Sequence, residues 1–194
     1  MSDERPGSLD PARLFGAAEG TALAGAAVLD FWRWAHSNVL NNTSRGRLAE
    51  FLVAKAVGAN AVVANEWETY DLKTPAGIRL EVKSSAYVQD WAPPPRPPRP
   101  TFSIRPTVAW DSTMGAFVGD SQRHADVYVF CLLIEQERSR VDPLDISQWR
   151  FYVVPRATLD RECGTAKTIS LNRLARLAPP VPFAELDAAI TDAS

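Results

Sequence analysis

The chain has 194 residues, enough for one domain with a substantial core. Hydrophobic residues make up 46% and charged residues 23%, as in an ordinary soluble protein. The formal net charge is −2, which excludes the strongly basic balance of a general nucleic-acid binder but not a local basic face. Two cysteines, Cys131 and Cys163, support neither a disulfide framework nor a zinc motif, and His36 and His124 add no ligand spacing. The longest apolar run near the start, Thr21 to Leu29, falls short of the roughly 20 residues of a membrane span. It follows Asp3 and Glu4 rather than a basic leader, so a cytoplasmic setting is expected.

Residues 1–20 are expected to be a flexible N-terminal segment, and 21–194 a single domain with a proline-rich insertion at 92–100. Asp10-Pro11 reads as the cap and first position of a short helix. Ala22, Ala26, Leu29, Trp32 and Ala35 recur near helical spacing and predict a helix from Ala22 to Leu40, with Trp32 and Trp34 packing. Asn41 to Ser44 reads as a stop and restart. Thr43 or Ser44 then caps a helix from Arg45 to Val57, ended by Gly58. On that helix Glu50 shares adjoining rows with Gly46, Val53, Ala54 and Val57, among small and apolar residues. A carboxylate there needs a partner, which a metal, Arg47 or another base would supply. Arg45 and Arg47 at the helix start are either solvent-exposed or phosphate contacts.

Tyr70 to Ser85, YDLKTPAGIRLEVKSS, has the pattern of a β-hairpin, with Trp67 to Leu72 as its first strand and a short strand at Ala61 to Ala64 before it. Pro75 and Gly77 carry the turn chemistry. In the second strand Ile78, Leu80 and Val82 share one face, and Arg79, Glu81, Lys83 and Ser85 the other. Asp71 approaches Glu81 across the hairpin, with Glu68 as a competing acid on the opposite side of the first strand. Two readings fit this grouping. One is a solvated face with a cross-strand Glu–Lys pair. The other is a Mg²⁺ site, because converging carboxylates suit a hard cation that keeps waters for phosphate. An adjacent lysine then stabilises charge on phosphorus or orients the attacking water.

The strand is expected to continue from Ser84 to Trp91, with Tyr87 and Gln89 on the Glu81 face. Ala92 to Pro100, APPPRPPRP, holds six prolines in nine residues and reads as an extended arm carrying Arg96 and Arg99. Trp110 to Gly119 reads as a loop. Asp126 to Ile134, DVYVFCLLI, is apolar on both faces and predicts a central strand with Cys131 in the core; Arg123 and Asp126 flank its start as a candidate structural pair. Trp149 to Val154 is a further strand and Ala157 to Cys163 a short helix. A small strand at Lys167 to Ile169, a helix capped by Ser170 running to Leu177, and a last helix from Phe183 to Ile190 follow.

Asp71…Glu81-Val82-Lys83, with Glu50 on the preceding helix, resembles the PD-(D/E)XK nuclease superfamily; Tyr70 stands where the name motif has proline. The resemblance implies an α/β fold, a central mixed β-sheet flanked by helices in a restriction-endonuclease-like core. It implies a metal-dependent nuclease acting on phosphodiester bonds, most readily in DNA, in restriction, defence or repair. Asp71 and Glu81 would bind Mg²⁺, which Mn²⁺ can replace, with the Val82 carbonyl. Lys83 would be catalytic and Glu50 would complete the site. A homodimer is a further implication. The alternative is a non-catalytic module that keeps the fold and binds nucleic acid or protein.

Overall fold

The apolar run that ends in CLL forms the centre of the molecule. The computed structural model describes residues 9–16, 22–59, 68–91, 99–111 and 114–194. In chain order its elements are β1 (Leu14–Gly16), β2 (Ala22–Ala27), α1 (Val28–His36), α2 (Asn42–Ala56), β3 (Leu72–Lys73), β4 (Arg79–Ala86), β5 (Thr101–Ser103), β6 (Thr107–Asp111), β7 (Ala116–Gln122), β8 (Val127–Leu133), β9 (Trp149–Pro155), α3 (Arg156–Cys163), β10 (Thr168–Ser170), α4 (Leu171–Leu177) and α5 (Leu186–Asp192). The fold is α/β. Its main sheet has the order β3-β4-β8-β9, with β4 parallel to β8 and the other two pairings antiparallel.

Every residue of β8 is buried, as a strand covered on both faces requires. On one face Leu80, Val82, Val129 and Cys131 pack with Leu52 and Val53 of α2 and Leu186 and Ile190 of α5. On the other, Tyr128, Phe130 and Leu132 pack with Phe102, Leu159, Ile169 and Leu174. Burial pushes the Cys131 thiol pKa well up, consistent with an inert core residue. The parallel pair β4–β8 needs a long crossover. The described part of that crossover carries β5, which pairs with β10, and the hairpin β6–β7.

Several expectations are corrected. The helix placed at Ala22 to Leu40 begins only at Val28, because Ala22–Ala27 pairs with β1 and Gly25 takes φ +73°, outside helical space. The Asp30 carboxylate accepts the Ala27 N–H at 2.9 Å and fixes that start. Trp34 is exposed rather than packed, since α1 lies outside both cores and buries only Val28. Asp10 starts a turn, accepting the Ala12 N–H at 2.9 Å, before β1 rather than a helix. Helix α2 is capped by Asn41, whose side chain accepts the Ser44 N–H at 2.9 Å, so it opens at Asn42, ahead of Arg45.

In the hairpin, residues 68–71 form a bend and the first strand is only Leu72–Lys73. Strand β4 ends at Ala86, where the Gln89 side-chain amide donates to the Ala86 carbonyl at 2.7 Å and ends the run. Tyr87 joins the second core and Gln89 turns back along the chain. The stretch read as a loop from Trp110 contains the β6–β7 turn, allowed by Gly115 at φ +62°. Arg123 and Asp126 do not pair: Arg123 reaches Asp160 and Asp126 reaches Arg79. The strand at Ala61 to Ala64, Trp67, and the proline arm through residue 98 with Arg96 lie outside the described residues.

Candidate active site

A tight turn sets the geometry. The Thr74 hydroxyl accepts the Ile78 N–H at 3.1 Å, the Thr74 carbonyl accepts the Gly77 N–H at 2.9 Å, and Gly77 takes φ +92°. Asp71 is thereby brought opposite β4. Its N–H donates to the Leu80 carbonyl at 2.9 Å, and its carboxylate accepts the Val82 N–H at 2.7 Å. Strand alternation turns the Val82 carbonyl to the same outer edge as its N–H. The Glu81 and Lys83 side chains stand on one face, with Lys83 Nζ 2.5 Å from Glu81 Oε1 and 3.8 Å from Asp71 Oδ2. Strand β3 pairs only with Arg79 and Leu80, so past Val82 the outer edge of β4 pairs with no described strand.

Glu50 reaches the same group from α2 and pairs with Arg47 at 2.9 Å. Its partner is therefore the arginine three residues back, one of those the sequence allowed. Burial, then the charge of Asp71, raises the Glu50 pKa, and Arg47 and Lys83 only partly offset this. The Glu81 pKa is raised in the same way, by burial first and Asp71 second. For Lys83 burial works against the charge, yet Asp71, Glu81 and Glu50 outweigh it and hold the pKa above the ordinary lysine value. Three carboxylates thus share a half-buried space around one ammonium.

The donors available to a metal are all oxygens: Asp71, Glu81 and the Val82 carbonyl, with Glu50 behind. Among the described residues no group of three or more His, Cys, Asp or Glu side chains is placed so that together they could hold a metal ion. Mg²⁺ does not need one; it takes one or two carboxylates and keeps its waters. Positive charge is already held between Asp71 and Glu81 by the Lys83 ammonium, so the donor set fits a hard cation in chemistry and in charge.

The structure thus brings Asp71, Glu81, Lys83 and Glu50 together. It also shows two residues whose places the sequence left open. The Arg47–Glu50 pair follows from i,i+3 spacing. Arg45 is buried, with its guanidinium on the Leu40 carbonyl and Asn42, and no pattern in the sequence signals this.

A family model for bacteriophage T4 endonuclease IV matches residues 30–173, most of the chain. The chain belongs to the bacteriophage T4 endonuclease IV family. It is accordingly a nuclease. The span matched to endonuclease IV contains Glu50, Asp71, Glu81 and Lys83, and leaves out β1, β2 and α5. No curated protein matches the chain. Among the described residues no helix is long and apolar enough to cross a membrane.

Proposed function

We propose that this nuclease hydrolyses phosphodiester bonds in DNA at the outer edge of β4, in the manner of the PD-(D/E)XK superfamily, with Mg²⁺ held by Asp71, Glu81 and the Val82 carbonyl. The observation that carries the reading is the crowding of Glu50, Asp71 and Glu81 around Lys83, with both glutamate pKa values raised. Acids whose pKa is shifted by burial and by a neighbouring charge cluster at working sites. A bound Mg²⁺ would polarise the phosphoryl group and acidify a water.

The chain's own residues then have distinct tasks. Lys83 is kept protonated by its carboxylate neighbours, so it acts as a cation. It orients a phosphoryl oxygen and stabilises the charge that gathers there in the transition state. Asp71 is oriented by the Val82 N–H, which engages one of its two carboxylate oxygens. Glu50 sets the local potential and is itself oriented by Arg47.

The test is cleavage of plasmid and of single-stranded DNA with Mg²⁺ and then Mn²⁺, comparing wild type with Lys83→Ala and Asp71→Ala. Both variants should lose cleavage while keeping the wild-type circular dichroism spectrum. Cleavage by Lys83→Ala at the wild-type rate, or no metal-dependent cleavage by wild type, would sink the reading.

A further inference from the structure

Arg45, in the first turn of α2, is 3% exposed. Its Nη1 donates to the Leu40 carbonyl at 3.0 Å and its Nη2 to Asn42 Oδ1 at 2.7 Å. Both acceptors are neutral. The buried Nε has no hydrogen-bond partner, and no carboxylate among the described residues pairs with this guanidinium. Arginine does not shed its proton. A buried charge without a counter-charge is costly, and proteins rarely keep one unless something supplies the missing anion.

Space for that anion adjoins it. Arg45 and Asn42 line a cavity of about 290 Å³ between the start of α2, the end of β4 and residues 99–101. Ser85 and Gln89 add polar groups, Arg99 adds a second cation, and Trp91 is an exposed aromatic at the rim. The cavity begins at Ser84, the residue after Lys83, and so continues along the same strand edge from the reacting group. Two cations, neutral donors and an aromatic face are what a nucleic-acid strand meets in a backbone-tracking groove.

We propose that this cavity is a phosphate subsite for the strand the nuclease cuts, with Arg45 as its buried counter-charge, Arg99 as the second cation and Trp91 as a stacking face for the adjoining base. The placement next to the scissile bond rests on the reading of Asp71, Glu81 and Lys83 given above. The subsite itself binds without a divalent ion.

The test is fluorescence anisotropy of a labelled single-stranded oligodeoxynucleotide in EDTA across a salt series. It compares wild type with Arg45→Gln, Arg99→Ala and a control, Arg161→Ala, which removes the same charge from α3. Arg99→Ala should raise Kd about 5-fold and lower the slope of log Kd against log salt by about 0.7, the contribution of one phosphate contact on a single strand. Arg45→Gln should raise Kd about 10-fold, since it removes a buried charge-assisted contact. Arg161→Ala should leave both quantities unchanged. If Arg45→Gln does not fold, Arg99→Ala against Arg161→Ala decides alone. No binding by wild type in EDTA, or equal Kd and slope for those two variants, overturns the subsite. Binding through Arg99 in a protein that fails to cleave would keep the subsite and remove the metal-site reading. Cleavage with unaltered binding by Arg99→Ala would do the reverse.

Discussion

At the outer edge of β4, Glu50, Asp71 and Glu81 crowd around Lys83; beside α3, Arg123 is enclosed by a matched set of acceptors. The Arg123 side chain is 1% exposed and donates to Asp160 at 2.7 Å, to the Ile104 carbonyl at 3.0 Å and to the Ala166 carbonyl at 3.3 Å. Asp160 also meets Arg156 at 3.4 Å, so no acid is in excess there, and the remaining Arg123 donors meet carbonyls. The β4 cluster has more acids than cations, and burial first, then the charge of Asp71, raises the pKa values of Glu50 and Glu81. Burial of charge is common to both places. The structural place has no acid in excess, whereas a surplus of acids is the feature on which the proposed active site rests.

The largest effect that would separate the two regions is on cleavage. Lys83→Ala should slow single-turnover cleavage by about 10²–10³-fold, the usual consequence of losing one charge-stabilising group, with the urea midpoint little changed. Arg123→Ala should do the opposite. It strips partners from Asp160 and two carbonyls and should destabilise by about 2–4 kcal/mol in urea melts, while cleavage per folded molecule stays at the wild-type value. A Lys83→Ala protein that unfolds as easily as Arg123→Ala would erase the distinction.

Glu50→Gln is a finer probe. It removes one of the repelling acids but also a charged partner of Arg47, so stability should shift by less than about 1 kcal/mol. Cleavage should fall roughly 10-fold, as for groups that orient metal-binding residues. A large loss of stability would instead place Glu50 with Arg123 as a structural charge.

The smallest effect is in the pH dependence, where the signs differ. Glu50 and Glu81 have raised pKa values in the folded protein. Their contribution to stability is fully present below the unfolded carboxyl value of about 4.3 and is lost as pH rises through the raised value. Asp126 runs the other way. Its hydrogen bonds from Arg79 lower its pKa, so its contribution is present above about pH 4 and lost as pH falls through the lowered value. Its side chain and that of Arg79 are 36% and 41% exposed, which limits the pair to under about 1 kcal/mol. Urea melts from pH 3 to 7 on Glu81→Gln and Asp126→Asn should show one variant losing the acid-side gain in stability and the other losing the acid-side fall.

Where local pattern decides conformation, the sequence was a good guide. Alternation along RLEVKS placed Glu81 and Lys83 together because a strand has a strict two-residue period, and the apolar run at β8 is central and covered. The later helices and strands, with short connections and the Ser170 cap, also match the structure. Alanine-rich spacing from Ala22 misled, because Gly25 and pairing with β1 override a weak helical preference. The partners of Arg123 and Asp126 lie 37 and 47 positions away in the chain, and no pattern over a few residues reports such contacts. The charges of the site were legible, whereas their surplus and the cavity beside Arg45 depend on how distant elements pack.

The crossover between β4 and β8 also bears on how the enzyme comes into being. Asp71 meets Val82 across 11 positions, so the charged hairpin can close early at low entropic cost. Arg79 meets Asp126 across 47 positions, and the β4–β8 ladder cannot form before that loop has closed. Refolding should therefore be limited by pairing of these two strands rather than by the hairpin. A ribosome-bound chain that ends short of β8 carries every charged residue of the candidate site but not the sheet that would bury it, so on the proposed reading activity is withheld until β8 has been made.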